Sequence, residues 1–193
     1  MITGIILASG YSRRMKSDKL IMNINGKPMV EWAIRACSDS KLDNIILVYR
    51  TPKVKEIGER YKIKSVYNEK AYLGQSEGVK LGVKYANNNG GYMFLAGDMP
   101  YIDSKLIDRL IEEYNKNPDS IIVPFYNGKQ GMPTIFPKIY RKDFLNINGD
   151  KGGRNIIREN PNLVKKVYIR DEKLGVDIDC MEDIKKVNKQ MGE

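Results

Sequence analysis

Four cationic side chains follow an apolar run near the beginning of the chain. The run, residues 5–8, consists of aliphatic residues typical of a buried strand. Ser9 and Gly10 end it with small residues, which let backbone N–H groups approach a ligand closely. The pattern indicates a site for an anionic, phosphate-bearing ligand, although a solvated basic loop behind an ordinary strand would look the same. The cations are Arg13, Arg14, Lys16 and Lys19.

Aspartates follow two later apolar segments and are candidate metal ligands. Asp98 comes after the apolar run 92–96, and Asp177 and Asp179 flank Ile178 close to the C-terminus. Ligands of open α/β sheets bind at the carboxyl ends of strands, so these acids are expected at the same edge as the cations. Mg²⁺ typically takes one or two carboxylates together with phosphate oxygens and water. The residues therefore predict a nucleoside triphosphate site with Mg²⁺ as cofactor.

Each acid also has a purely structural interpretation. Asp98 could cap the turn before Pro100, since Asp is common in turns. Asp179 stands three residues before Glu182, which is the spacing of a capping box at a helix start. Asp98 and Asp179 are the expected metal ligands, and Asp177 remains an alternative to Asp179.

The composition narrows the chemistry and the partners. The 193 residues include two cysteines and no histidine, which excludes a disulfide framework, Ser-His and Cys-His catalysis, and histidine-ligated metals. The net charge of +9 favours an anionic partner. The lysines are scattered and form no basic block, so nucleic acid is not an expected partner. No apolar run approaches the ~18–20 residues that span a bilayer, so a membrane is not expected either. Because no signal segment precedes the first strand, we expect a cytoplasmic location.

Short apolar strands alternate with amphipathic helices in the first part of the chain. This alternation predicts a three-layer α/β sandwich with a mostly parallel, Rossmann-like central sheet, formed as a single domain over residues 1–193. The sequence contains neither a P-loop nor a dinucleotide-binding fingerprint. The expected strands are residues 5–8, 44–49, 63–67, 92–96, 121–125, 134–136, 164–169 and 175–178. The expected helices are residues 28–39, 53–61, 76–87, 104–115, 139–145, 155–159 and 181–190.

The order of several motifs resembles that of molybdenum cofactor cytidylyltransferases, which are nucleotidylyltransferases with a glycosyltransferase-A-type fold. Residues 7–20, LASGYSRRMKSDKL, are similar to the family's L-A-A-G-x-S-x-R-M-G-x-x-K-L. Residues 97–100 (GDMP) match a motif of the wider superfamily, and residues 131–133 (GMP) and 149–154 (GDKGGR) are similar to the molybdopterin branch. Further ordered matches are residues 26–28, 74–82 and 177–183.

The resemblance implies a role for each matched residue. The backbone of residues 7–10 would bind the base and ribose. Arg14, Lys19 and Asp98 would be catalytic, the two cations holding the triphosphate and the leaving pyrophosphate, while Asp98 and Asp179 would hold Mg²⁺. The implied nucleotide-binding residues are Leu7, Ala8, Ser9, Gly10, Ser12, Arg13, Lys19, Asn68, Gln75, Ser76 and Gly78. The implied acceptor-binding residues are Asp150, Lys151 and Arg154.

Four positions depart from the family pattern. Ser9 replaces a second alanine or glycine, and Lys16 replaces a glycine. Gly78 stands where the family usually has a serine that helps to hold the nucleotide base, so we expect different base contacts there. Met132 replaces a histidine that is often found between glycine and proline.

The resemblance implies transfer of CMP from CTP to molybdopterin, with release of pyrophosphate. CTP and molybdopterin are then the substrates, and a molybdoenzyme that receives the product is a further expected partner. The attacking phosphate oxygen of the acceptor is anionic at neutral pH, so a chain without histidine needs no general base. Two other interpretations stay open: a sugar-phosphate or guanylyl transferase of the same superfamily, and a nucleotide-binding regulatory protein without turnover.

Overall fold

The chain folds into a mostly parallel sheet with helices on both faces, which confirms the predicted α/β class. The computed structural model describes residues 1–11, 18–149 and 152–191. The strands are β1 (Ile2–Ala8), β2 (Asn23–Ile24), β3 (Lys27–Pro28), β4 (Asn44–Tyr49), β5 (Lys64–Tyr67), β6 (Gly91–Ala96), β7 (Ile121–Tyr126), β8 (Lys129–Gln130), β9 (Thr134–Phe136) and β10 (Val164–Ile169).

Seven α-helices lie among the described residues, close to the positions that the sequence predicts. They are α1 (Met29–Ser38), α2 (Pro52–Arg60), α3 (Gln75–Tyr85), α4 (Ser104–Lys116), α5 (Arg141–Asn146), α6 (Arg154–Glu159) and α7 (Met181–Met191). Short 3-10 helices cover Lys19–Ile21, Ala71–Leu73, Lys138–Tyr140, Pro161–Leu163 and Glu172–Gly175. No helix in these parts of the chain is long and apolar enough to cross a membrane.

β1 lies in the middle of the main sheet. The strand order is β10-β7-β9-β6-β1-β4-β5, with β8 paired to β7. β1 is parallel to both β4 and β6, and β4 is parallel to β5. β9 runs antiparallel between β6 and β7. Because parallel strands end at the same edge, the carboxyl ends of β1, β4, β5 and β6 lie together, at the edge where such folds bind ligands.

The two faces of β1 enter different parts of the core. Ile5 belongs to the apolar cluster that includes Val83 of α3, and Ile6 to the cluster that includes Ile34 of α1. Both isoleucines are fully buried, so the strand needs the near-continuous apolar sequence that it has. A Cβ atom at Gly82 would overlap the Ile5 side chain, so this glycine lets α3 pack directly on β1.

The strand predicted at residues 175–178 is not formed, which corrects the sequence analysis. A 3-10 helix ends at Gly175, and the residues after it have no regular secondary structure. Ile178 is fully buried whereas Val176 is 38% exposed, so the segment has one apolar anchor and no continuous buried face. The N–H of Ile178 donates to the carbonyl of Asp98 at 3.1 Å, which attaches this segment to the end of β6.

The C-terminal helix packs on a small hairpin beside the main sheet. β2 and β3 are joined by Asn25 and Gly26, whose φ values of 46° and 79° are those of a tight hairpin turn. Ile184 of α7 lies in an apolar cluster with Ile24 of the hairpin. The N–H of Asn25 also donates to Oδ1 of Asn188 at 2.7 Å. The hairpin and α7 therefore hold each other in place.

Candidate active site

Lys19 is positioned by the acid that precedes it. Oδ1 of Asp18 accepts the N–H of Leu20 at 3.2 Å and so caps the 3-10 helix that contains Lys19. Oδ2 of Asp18 accepts the hydroxyl of Thr51 at 2.8 Å. Leu20 is 5% exposed and anchors the same helix in the core. The short helix thus holds Lys19 at the carboxyl edge of the sheet.

The ammonium of Lys19 lies among three oxygen atoms. Nζ is 2.6 Å from Oδ2 of Asp98 and 3.5 Å from Oδ1 of Asp179, and it donates to the carbonyl of Ile178 at 2.6 Å. The side chains of Lys19 and Asp98 are only 14% and 16% exposed, which strengthens their attraction relative to a surface pair. The fold therefore brings together three of the predicted site residues, two of them about 80 and 160 positions along the chain from Lys19.

The donor set around Lys19 suits a hard divalent cation. Oδ1 of Asp98 is buried and has no hydrogen-bond partner among the described residues. Two carboxylates and a carbonyl are all oxygen ligands, the type that Mg²⁺ and Mn²⁺ prefer. Nowhere in the described residues do three or more Asp, Glu, Cys or His side chains come together in a group that could hold a metal ion. A cation bound here would therefore complete its coordination with phosphate oxygens and water.

The capping box at the start of α7 is displaced by one residue from its predicted position. Oδ2 of Asp183 accepts the N–H groups of Asp179 and Cys180 at 3.1 and 3.0 Å, so Asp183 rather than Glu182 is the acid that folds back. Hydrogen bonds from the Cys180 thiol and from these two amides lower the pKa of Asp183. The carboxylate of Asp179 instead faces Lys19.

Asp177 lies on the other side of the buried Ile178. Burial, and then the nearby charge of Asp98, raise the pKa of the Asp177 carboxyl. Asp177 lines a cavity formed with Phe94 and Phe136. Asp179, by contrast, contacts the Lys19 ammonium, as Asp98 does. The geometry thus favours Asp98 and Asp179 over Asp177 as the two carboxylates that would share a metal ion.

Two cavities meet at this edge of the sheet. The first has a volume of about 370 Å³ and the second about 420 Å³, and both are lined by Leu7, Gln75 and Ala96. The first is also lined by Ser9, Gly10, Tyr11, Lys19, Leu20, Ala71, Gly74, Gly78 and Asp98. The second is also lined by Val79, Phe94, Met99, Gln130, Gly131, Met132, Thr134, Phe136, Gly152, Gly153, Arg154, Asn155, Ile157, Gly175 and Asp177.

The predicted nucleotide residues divide between the cavity wall and the layer behind it. Leu7, Ser9, Gly10, Gln75 and Gly78 line the first cavity, and Lys19 and Asp98 lie at its charged side. Ala8, Asn68 and Ser76 are buried and line neither cavity. The side chain of Ser76 is fully buried, and its hydroxyl has no hydrogen-bond partner among the described residues. Asn68 instead reaches the cavity indirectly, because its Nδ2 donates to Oγ of Ser9 at 2.9 Å.

Arg154 lines the second cavity, in agreement with its expected place near an acceptor. The other expected site residues lie outside the described residues; they are Ser12, Arg13, Arg14, Asp150 and Lys151.

Sequence reasoning missed several wall residues, among them Tyr11, Gln130 and Asn155. Tyr11 lies 4.5 Å below the guanidinium of Arg50. Tyr11 stands at an unspecified position of the pattern in residues 7–20, and Gln130 and Asn155 lie just outside the later matched segments, so no motif marks these three residues.

A family model described as a MobA-like NTP transferase domain matches residues 4–165. The chain belongs to this family. As a MobA-like NTP transferase it is a nucleotidyltransferase, which confirms the enzyme class that the motifs predict. The matched residues include most of β1, Lys19 and Asp98, whereas Asp177 and Asp179 lie beyond them.

Relatives of this nucleotidyltransferase cover different shares of its length. A probable molybdenum cofactor guanylyltransferase of Natranaerobius thermophilus is 34% identical over 129 residues, which are 66% of this chain and 62% of that protein. A protein of the same name from Thermococcus sibiricus is 29% identical over 199 residues, which are 95% of this chain and 96% of that protein. The crystal structure of Rv0371c from Mycobacterium tuberculosis in complex with manganese has a TM-score of 0.82 at 18% identity, covering 97% of this chain and 98% of that one. At 18% identity, this comparison shows that the two proteins share a fold and nothing further.

Proposed function

We propose that this chain transfers CMP from CTP to the terminal phosphate of molybdopterin and releases pyrophosphate. The observation that supports the proposal is that the cavity lined by Lys19 and Asp98 adjoins a second cavity, with Leu7, Gln75 and Ala96 lining both. A nucleotidyltransferase has to hold a nucleoside triphosphate and an acceptor side by side, and two adjoining cavities provide for both.

The nucleotide is proposed to occupy the first cavity. Lys19 and Asp98 carry the charges of its wall among the described residues, so the phosphates would extend towards them. The base and ribose would lie against the uncharged residues Leu7, Ser9 and Gly78. For an acceptor in the second cavity to reach it, the α-phosphate would have to lie near Gln75 and Ala96, which line both cavities.

A divalent cation, Mg²⁺ in this proposal, would be held by Asp98 and Asp179. When bound, it would supply charge neutralisation on the phosphate oxygens. The complex of Rv0371c with manganese supports a divalent ion at this fold. Lys19 would bind phosphate oxygens once the nucleotide is present, and its ammonium would stabilise the charge of the departing pyrophosphate.

The acceptor is proposed to occupy the second cavity. Its wall combines apolar surfaces of Phe94 and Phe136 with polar groups of Gln130, Asn155 and Arg154. A flat heterocycle bearing a phosphate matches both features, because its rings pack on apolar side chains and its polar atoms need hydrogen-bond partners. The relatives named molybdenum cofactor guanylyltransferases support molybdopterin as this acceptor.

The chemistry is proposed to be a direct displacement. An acceptor phosphate oxygen forms a bond to the α-phosphorus of CTP while the bond from that phosphorus to the bridging oxygen breaks, and the electron pair leaves with pyrophosphate. The chain's residues position the two phosphates and stabilise the charge, without removing a proton.

GTP is a second candidate nucleotide. Two relatives, at 34% and 29% identity, are named probable molybdenum cofactor guanylyltransferases, which favours GTP. The pattern of residues 7–20 and the later glycine-rich turns favour CTP. The two candidates differ only in the base, so a single assay separates them.

Pyrophosphate release with molybdopterin as acceptor tests the proposal. The protein is incubated with molybdopterin, Mg²⁺ and CTP, GTP, ATP or UTP in turn, and the nucleotide-linked product is identified by mass. We expect release with CTP, dependence on both acceptor and metal, and a loss of at least about 100-fold in Asp98→Asn, as for other groups that stabilise transition-state charge. Turnover with GTP alone would replace CTP by GTP. Absence of product with every nucleotide would contradict the proposed reaction.

A further inference from the structure

The hydroxyl of Ser9 is held at the wall of the first cavity by a buried amide. Oγ of Ser9 accepts a hydrogen bond from Nδ2 of Asn68 at 2.9 Å, and the two residues are 8% and 1% exposed. Because the oxygen accepts from Asn68, the hydroxyl hydrogen of Ser9 is available to a ligand in the cavity that Ser9 lines.

Asn68 is itself fixed by the backbone around it. Its N–H donates to the carbonyl of Tyr49 at the end of β4 (2.8 Å), and its carbonyl accepts the N–H of Ala71 (3.4 Å). These contacts fix the backbone of Asn68, and its burial at 1% exposure restricts the side chain, which can then hold the Ser9 hydroxyl in place.

Gly78 leaves the space that the Ser9 hydroxyl occupies. A Cβ atom at position 78 would lie 3.1 Å from Oγ of Ser9 and 3.6 Å from Nδ2 of Asn68. A contact of 3.1 Å is tighter than ordinary van der Waals packing, so a side chain at 78 and a hydroxyl at 9 compete for one position. Two departures from the family pattern, at Ser9 and Gly78, are therefore related in space.

Among the described residues, the corner formed by Ser9 and Gly78 has no charged group. The charged residues that line this cavity in the described part of the chain are Lys19 and Asp98. Leu7 contacts the Gly78 position at 3.7 Å and adds an apolar surface. An uncharged corner with one directed hydroxyl suits the edge of a heterocyclic base better than a phosphate, which would be drawn to the ammonium.

We propose that the Ser9 hydroxyl donates a hydrogen bond to an acceptor atom of the nucleobase and is a specificity-determining residue. Asn68 is its positioning residue. The inference rests on the proposed function, since it requires a nucleotide in the first cavity. It goes further by assigning base selection to the side chain of residue 9, where the resemblance implies contacts of the backbone.

Nucleotide affinities of four proteins test this proposal without turnover. Dissociation constants for CTP, GTP, ATP and UTP with Mg²⁺ are measured by calorimetry in the absence of acceptor. We expect Ser9→Ala to weaken the best-bound nucleotide about 5- to 10-fold and the others by less, which reduces selectivity. Ser9→Ala/Gly78→Ser should recover at least half of the lost affinity, because the hydroxyl returns to the same corner. Ser9→Ala/Gly78→Ala, the matched control, should not.

Inorganic tripolyphosphate is the second probe, and its affinity should be the same in Ser9→Ala as in the unsubstituted protein. An equal loss for tripolyphosphate would place Ser9 at the phosphates and overturn its role at the base. Unchanged nucleotide selectivity in Ser9→Ala, with an unchanged melting temperature, would overturn this inference alone. If the unsubstituted protein binds none of the four nucleotides, the proposed function fails as well.

Discussion

A single ammonium occupies the position where a metal ion is proposed to bind. Nζ of Lys19 contacts oxygens of Asp98, Asp179 and Ile178, and it neutralises part of their charge. Without Lys19, the largely buried carboxylate of Asp98 and the half-exposed carboxylate of Asp179 would lose a shared cation, and their like charges would be less compensated. Lys19 and a divalent cation therefore compete for the same oxygens until phosphates offer Lys19 another partner.

Lys19→Met is expected to tighten metal binding in the absence of nucleotide. The methionine keeps most of the side-chain volume but removes the competing charge, so the dissociation constant of Mn²⁺ should fall about 10-fold or more. Affinity for tripolyphosphate should weaken in the same variant. Mn²⁺ binding is followed by electron paramagnetic resonance at fixed ionic strength. The control is Lys105→Met on the exposed face of α4, which should change neither quantity; unaltered Mn²⁺ affinity in Lys19→Met would contradict the competition.

Some features of the site follow from local sequence and others do not. Lys19 and Asp98 are predictable because each follows a readable strand and belongs to a motif. The structural role of Asp183 cannot be predicted from the sequence. Glu182 and Asp183 both have spacings that suit a capping box, and only the residue at which the helix starts decides between them. The Ser9–Asn68 hydrogen bond joins two loops 59 positions apart, and neither loop indicates the other.

At the scale of elements, α1 and α2 are joined by a polar contact. Oε1 of Glu31 in α1 accepts the hydroxyl of Tyr61 at 2.8 Å, and Oε2 accepts from Arg60 at 3.0 Å. Glu31 is 8% exposed, so its carboxylate depends on these partners for hydrogen bonds. Partial burial and then the hydrogen bond to Glu31 raise the pKa of Tyr61 to about 12.

Tyr61→Phe is expected to lower the free energy of unfolding by about 1–2 kcal/mol at neutral pH, because Glu31 loses one buried hydrogen-bond partner. The pKa of Tyr61 is higher in the folded protein than the ordinary value of 10.0, so its contribution is complete below pH 10 and is lost as the pH rises towards about 12. Urea unfolding at neutral pH and across this alkaline range measures both effects. The difference between the two proteins should shrink at high pH; a constant difference would contradict the linkage, and exposed Tyr72→Phe serves as the control.

The parallel half of the sheet is predictable because strand, helix and strand alternate in β1, β4, β5 and β6. The place of β9 in the sheet cannot be predicted in this way. Its three residues indicate a strand but not its insertion between β6 and β7. The strand predicted before α7 is an error of the opposite kind, because the local sequence suits a strand that the fold does not form. Val176 and Ile178 have a suitable composition, but only Ile178 is buried, and the segment bonds to the carbonyl of Asp98 instead.

At the scale of the whole molecule, the proposed metal site depends on the last part of the chain. Asp179, which contacts Lys19, lies between the buried Ile178 and α7, and both Ile178 and α7 pack on the β2–β3 hairpin. Ile184 is 6% exposed and sits in this apolar cluster with Ile24. The packing of a helix on a hairpin thus sets the position of one carboxylate.

Ile184→Ala is expected to affect stability and metal binding together. Removing three buried carbons should lower the free energy of unfolding by about 2–4 kcal/mol, and the looser helix should weaken Mn²⁺ binding because Asp179 is less well positioned. Thermal unfolding and Mn²⁺ affinity, both measured well below the melting temperature of the variant, separate the two effects. Lys185→Ala, at the exposed neighbouring position, is the control and should change neither. A destabilised Ile184→Ala protein with undiminished Mn²⁺ affinity would show that Asp179 does not depend on α7 for its position, whereas a parallel loss would tie the C-terminal helix to the chemistry at the opposite end of the sequence.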